Sequence, residues 1–156
     1  MADEKPKYGS KQSITITMTD LAQGASRQSL IVSNATDLWE DALVEVNVYL
    51  QGPSLGPVDV YVYASADGGT TLPDGVTGTD AAFTPYTFPG LLYLGSTGWG
   101  GGALRLVMPS KSVAALFGGS MPQYWGIVVV NNTTQLFAGT GNSIEAFFQG
   151  QMHQIV

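Results

Sequence analysis

The chemistry open to this chain is bounded first by what it lacks. It has no cysteine, which excludes thiolate metal centres, cysteine nucleophiles and disulfides. Its one imidazole, His153, would have to act as the base in any serine-type hydrolysis. His153 falls between Gln151 and Gln154 in a strand-like run, and no Gly-x-Ser-x-Gly elbow supplies a nucleophile. No catalytic residue is therefore assigned, and the chain is not expected to be an enzyme. Asp67, Asp74 and Asp80 lie in one glycine-rich stretch, and carboxylates with loop carbonyls can ligate calcium. Their spacing fits no EF-hand, and turn-forming aspartates account for the same residues. Neither a metal nor a cofactor is expected. Gly98 to Gly102, interrupted by Trp99, lacks the following Lys-Ser/Thr and helix of a phosphate cradle, and reads as a hinge.

The stretch Ser65-Ala66-Asp67-Gly68-Gly69-Thr70-Thr71 matches most of the Asp-box pattern Ser-x-Asp-x-Gly-x-Thr, with Leu72 where an aromatic usually follows. Ser65, Asp67, Gly69 and Thr71 are read as braces of a tight turn. A glycosidase would also want a pair of acids, and nothing in one dimension pairs them. Aromatic faces with polar tips suit sugars or protein partners. Trp125 lies inside an apolar run and reads as core. Trp99, Tyr86 and Tyr93 are candidate interface residues, because Trp and Tyr are favoured contact residues. Lys5, Lys7 and Lys11 place half of the chain's six basic residues in its first segment. Residues 1–12 read as an arm that could strap onto an acidic neighbour, ordering only when bound, or as a solvated terminus.

The elements that must carry these residues repeat with period two. Ser13–Met18 alternates apolar and polar, and Leu43–Leu50 puts Val44, Val46 and Val48 on one face with Glu45, Asn47 and Tyr49 on the other. Val58–Tyr63 repeats the pattern after a Gly/Pro turn, and the two runs read as a hairpin. Further strands are expected at 29–33, 91–94, 103–108, 124–130 and 144–155, with a bulge near Gly150. One short helix is expected near 112–117. This predicts an all-β, antiparallel, eight-strand sandwich over 13–156, jelly-roll-like in the first reading and immunoglobulin-like in the second.

Charged residues make up only 12%, against about 25% in ordinary soluble domains. Interface cores are depleted in charge, so the surface reads as hidden against partners; a Ser/Thr-coated β-surface is the other reading. The net charge of −6 argues against a nucleic-acid partner. No run is long and apolar enough for a membrane span, and Met1-Ala2-Asp3-Glu4-Lys5 is not a secretory leader, so synthesis in a cytoplasm is expected.

Two longer passages look familiar: Tyr61 to Asp80, and Ser112 to Gly126 with its Phe117-Gly118-Gly119-Ser120-Met121-Pro122-Gln123-Tyr124-Trp125-Gly126. With the opening Ser13-Ile14-Thr15-Ile16-Thr17 and the closing β-run, they resemble small β-sandwich virion structural proteins of tailed bacteriophages. The resemblance implies a capsid decoration, or cement, protein. Such a protein would be trimeric, would sit on the outer surface of the virion and would bridge the major capsid protein and copies of itself. A tail or receptor-binding, carbohydrate-binding module is the other function considered.

Overall fold

Val44, Val46 and Val48 and, after one turn, Val58, Val60 and Val62 are all fully buried. They meet across one core cluster from opposite sheets. The computed structural model describes residues 4–73, 75–84, 90–98, 104–139 and 144–155. It is all-β, with two antiparallel sheets. The strands are β1 (Glu4–Ser13), β2 (Ser26–Gln28), β3 (Val32–Ser33), β4 (Asp41–Tyr49), β5 (Val58–Ser65), β6 (Ala81–Phe83), β7 (Leu92–Ser96), β8 (Arg105–Ser112), β9 (Tyr124–Asn131) and β10 (Glu145–Ile155). One sheet has the order β1-β10-β4-β8; the other has β6-β2-β9-β5-β7, with β3 also on β9. With the short β3 and β6 set aside, eight strands remain and most connections cross between sheets. This is the jelly-roll order, built of two Greek keys.

Four local expectations are corrected. The runs 43–50 and 58–63 do not form a hairpin: β4 pairs with β10 and β8, whereas β5 pairs with β9 and β7. Both present an all-valine face, and two such faces bury more apolar area packed across a sandwich than side by side in one sheet. Residues 14–18 alternate but are not a strand. They cross between the sheets, with Ile14 N–H on the Ala146 carbonyl and Leu30 N–H on the Thr15 carbonyl, and they bury Ile14 and Met18 in the core. Residues 4–12, expected as an arm, belong to β1, hydrogen-bonded along β10 from Glu4↔Ile155 to Ser13↔Phe147. The helix near 112–117 is a 3₁₀ turn, Ala114–Phe117, closed by Gly118 in the left-handed region.

The chain between β5 and β7 folds back over the second sheet. Val76, Phe83 and Leu91 cluster with Tyr63, Val128 and Val130 as a second small core, and Ile31, Tyr61 and Leu72 pack against it. The outer side of this sheet is thus partly covered by the chain's own loop. Asp80 anchors the loop: its carboxylate takes the Arg27 Nε–H at 2.5 Å and the Thr17 N–H at 3.0 Å.

The bulge expected at Gly150 lies on the facing strand, where the register slips between Tyr8 and Lys11. Gly9 and Gly150 together form a floor for Trp39, and a Cβ at either would collide with its indole. Asn34 clamps the Trp39 backbone from both sides, Oδ1 accepting its N–H and Nδ2 donating to its carbonyl, each at 2.8 Å. Replacing Gly150 by Ala forces the indole off this floor. Gly150→Ala is expected to destabilise the fold by roughly 1–3 kcal/mol, the usual range for overpacking, read as a lower urea midpoint with an unchanged slope.

Candidate interaction surface

Directly opposed residues of neighbouring strands share a face, so the register defines the outside of the four-stranded sheet. Phe147 opposes Glu45 and Ser13, Gln149 opposes Leu43 and Lys11, Asn47 opposes Val107, and Tyr49 opposes Arg105. Leu43, Tyr49, Val107 and Phe147 are each part-exposed and belong to neither buried cluster. The apolar half of the face is therefore presented outward.

Cations lie over its aromatics. Lys11 Nζ sits 3.9 Å from the Phe147 ring centroid and 2.8 Å from Glu145 Oε2. The Arg105 guanidinium lies 5.8 Å from the Tyr49 centroid, its Nε–H donating to Asn47 Oδ1 at 2.9 Å. Lys11 and Arg105 against Glu45 and Glu145 leave these charges balanced, on a chain of net charge −6. Exposed pairs of this kind add little to stability, but aromatic side chains beside Arg are the composition of contact surfaces.

At one end the face continues into a ribbon. β4 pairs with β10 only as far as Gln151, whereas β1 follows β10 to Ile155. Residues 4–8 are exposed throughout, as are 153–155, with Tyr8 53% and Ile155 72% accessible. A two-stranded ribbon is marginal alone in water. Its β1 edge carries Lys5, Pro6, Lys7 and the irregularity after Tyr8, which are the devices that deter pairing with another strand. This edge therefore disfavours strand addition. Four strands about 4.8 Å apart, about eight residues long, give a face of roughly 500 Å². A standard interface takes roughly 800 Å² per partner, so a partner gripping the face needs the ribbon as well.

The other residues singled out in the sequence are dispersed. Tyr93 is on the second sheet, 52% exposed, with its ring edge-on to Tyr61 at 5.4 Å and its hydroxyl on Asp59 Oδ1 at 3.4 Å. Trp99, Tyr86 and Asp74 lie outside the described residues. In the turn after β5, Asp67 Oδ1 accepts the Thr71 N–H at 2.8 Å, its Oδ2 accepts the Thr71 hydroxyl at 2.6 Å, and Ser65 Oγ accepts the Gly69 N–H at 3.0 Å. The hydrogen bonds from Thr71, then Ser65, hold the Asp67 carboxyl down to about 2, so it is ionised as a turn brace. Asp80 is occupied by Arg27 and Thr17, and among the described residues no group of three His, Cys, Asp or Glu could hold a metal ion.

His153 closes the base of the ribbon. Its Nδ1 is 2.5 Å from Glu40 Oε2, beside an open depression of about 340 Å³ that Asp41 and Ser112 also line. These groups are already committed: Asp41 Oδ1 accepts the Ala42 and Ala114 N–H groups, and Ser112 Oγ accepts that of Ala115. Serine and imidazole share the depression, but Ser112 is a turn cap rather than an activated nucleophile.

Sequence reasoning missed Leu43, Val107 and Phe147, although each is an apolar residue at an outward position of an alternating run. It also missed Leu38, which is 68% exposed with φ 54°; a left-handed leucine costs roughly 1–2 kcal/mol and has no sequence signature. No family model, no curated protein and no solved structure matches this chain. Among the described residues no helix is long and apolar enough to cross a membrane.

The Glu40–His153 pair sets a pH window. The hydrogen bond to Glu40, with its charge, raises His153 above its ordinary 6.5; the bond from His153 lowers Glu40 below its ordinary 4.5. The His153 contribution is complete below 6.5 and is lost as pH rises through the folded value. The Glu40 contribution is present above 4.5 and is lost as pH falls through its lowered value. The ribbon base is therefore held best between 4.5 and 6.5. In an NMR titration the His153 midpoint should lie above its ordinary 6.5 and fall toward it in Glu40→Gln; an identical midpoint in both proteins rules the pairing out.

Proposed function

We propose that this chain is a bacteriophage virion structural protein of the capsid decoration type, which binds the lattice of the major capsid protein at the outer surface of the head and associates with its own copies. The observation that carries this reading is the asymmetry of the two sheets. The chain lays its own loop over one, while the other turns Leu43, Tyr49, Val107 and Phe147 outward beside Lys11 and Arg105. A surface of that composition fits a protein partner better than a small molecule, which needs a concave, enclosing site. The low charged fraction of 12% agrees with a surface spent largely in contacts. Jelly rolls recur in viral capsid and lectin domains, which supports the reading by fold analogy alone.

In this mechanism the sheet face and ribbon lie across the joint between neighbouring capsid subunits. Each contact is modest, and repetition over the lattice makes them act together through avidity. The shell is stiffened because rupture must break many such contacts at once.

A second reading, a carbohydrate-binding tail module, draws on the Tyr61–Tyr93 pair, with Asp59 held by Asn132 at 2.7 Å beside it. Aromatic faces flanked by an acid and an amide suit sugars. Glycan binding that disappears in Tyr93→Ala, with no affinity for shells, would replace the decoration reading by this one.

The decoration reading is tested by co-sedimentation with shells stripped of their accessory proteins. The intact protein should pellet with them, and Phe147→Glu and Val107→Glu should weaken binding about tenfold or more, as at a contact hot spot, with circular dichroism unchanged. A protein that stays in the supernatant, or variants that pellet equally well, would exclude it.

A further inference from the structure

We infer that residues 75–84 form a latched cover, which opens as a unit while the sandwich stays folded, with Asp80 as its latch. The small core beneath this segment is separate from the main one. Val76 and Phe83 of the segment cluster with Tyr63, Val128 and Val130 on the outer side of the sheet, whereas Val60, Val62 and Val129 of the same strands belong to the main core on its inner side. No residue of the segment enters the main core. Lifting the segment therefore removes none of the apolar packing that holds the two sheets together.

Its ties run to other elements and centre on one carboxylate. The Thr77 N–H donates to Gln28 Oε1 at 2.7 Å, and the Gly78 carbonyl accepts the Ile31 N–H at 2.9 Å. β6 adds three residue pairs with β2, too short a ladder to hold by itself. Asp80 Oδ1 accepts the Arg27 Nε–H at 2.5 Å and the Thr17 N–H at 3.0 Å, and its Oδ2 accepts the Thr17 hydroxyl at 2.5 Å. The Asp80 carbonyl accepts a further bond from Arg27 Nη2 at 3.1 Å. Hydrogen bonds to an ionised group are the strong ones, so this residue carries much of the hold on the segment. A region with its own small core opens at lower free energy than the core it lies on. The opened molecule keeps β5 paired with β9 and β7 and turns Tyr63, Val128 and Val130 toward solvent. The cover thus withholds a second apolar face from the free protein, whatever the four-stranded sheet contacts.

The chain lacks cysteine, so a single introduced thiol reports opening. Val128 and Val60 are both fully buried, the first under the cover and the second in the main core. In thiol labelling of the full chain under native conditions, at low reagent concentration, Val128→Cys should react about a hundredfold or more faster than Val60→Cys. Adding Val46→Ala, a truncation in the main core, should speed the V60C reaction about tenfold or more and leave V128C unchanged. Adding Asp80→Ala should speed V128C about tenfold or more, and Thr17→Val, which removes one bond to the latch, by a smaller factor. Should the Asp80 variant not fold, Thr17→Val decides alone. Equal reaction of the two thiols, acceleration of both by V46A, or a V128C rate that ignores the latch variants would each overturn the inference.

Discussion

Everything in this molecule depends on two valine faces meeting across a gap. β4 and β5 follow one another in the chain, and the fold places them in opposite sheets so that Val44, Val46 and Val48 pack against Val58, Val60 and Val62. At about 25 cal/mol per Å² of apolar surface, this shared burial outweighs the local convenience of a hairpin. With the two strands apart, each sheet has to find its other strands far along the chain, and the jelly-roll order follows. Trp125 and Phe148, edge-to-face at 5.3 Å, join the same core from β9 and β10.

The interior leaves the two outer faces with different fates. The turn-rich chain after β5 pairs only briefly, through β6 on β2, and otherwise lies on its own sheet, where Val76, Phe83 and Leu91 seal Val128 and Val130. The four-stranded sheet receives no such cover from that loop. Its cations lie across Phe147 and Tyr49, an arrangement that sets charge over apolar ring faces and keeps them wettable.

Strand positions were legible wherever one face is buried and the other is not. β4, β5 and the inner part of β10 announce themselves by alternation, and β9, buried on both faces, by a continuous β-branched run. β1 does not, because Glu4 to Tyr8 is exposed on both sides and imposes no period on the sequence. The hairpin misreading has the same root: periodicity says which way side chains point, not which strand lies alongside. The Asp67 turn was legible because its bonds are local, from Ser65 to Thr71. The candidate surface was half legible: Lys11 was singled out, and its intramolecular partners Glu145 and Phe147 are brought to it only by the β1–β10 register. Leu38 and the Trp39 floor on Gly9 and Gly150 depend on backbone geometry that no pattern of residue types encodes.

The place of β10 has a bearing on biosynthesis. It lies between β1 and β4, so the four-stranded sheet has a hole at its middle until residues 145–155 have left the ribosome. Until then β1 has no partner and β4 has one open edge, although both are made long before β10. Pairings of such long sequence separation form slowly and leave the nascent chain prone to sticking. Completion of this sheet is therefore paced by the arrival of one strand.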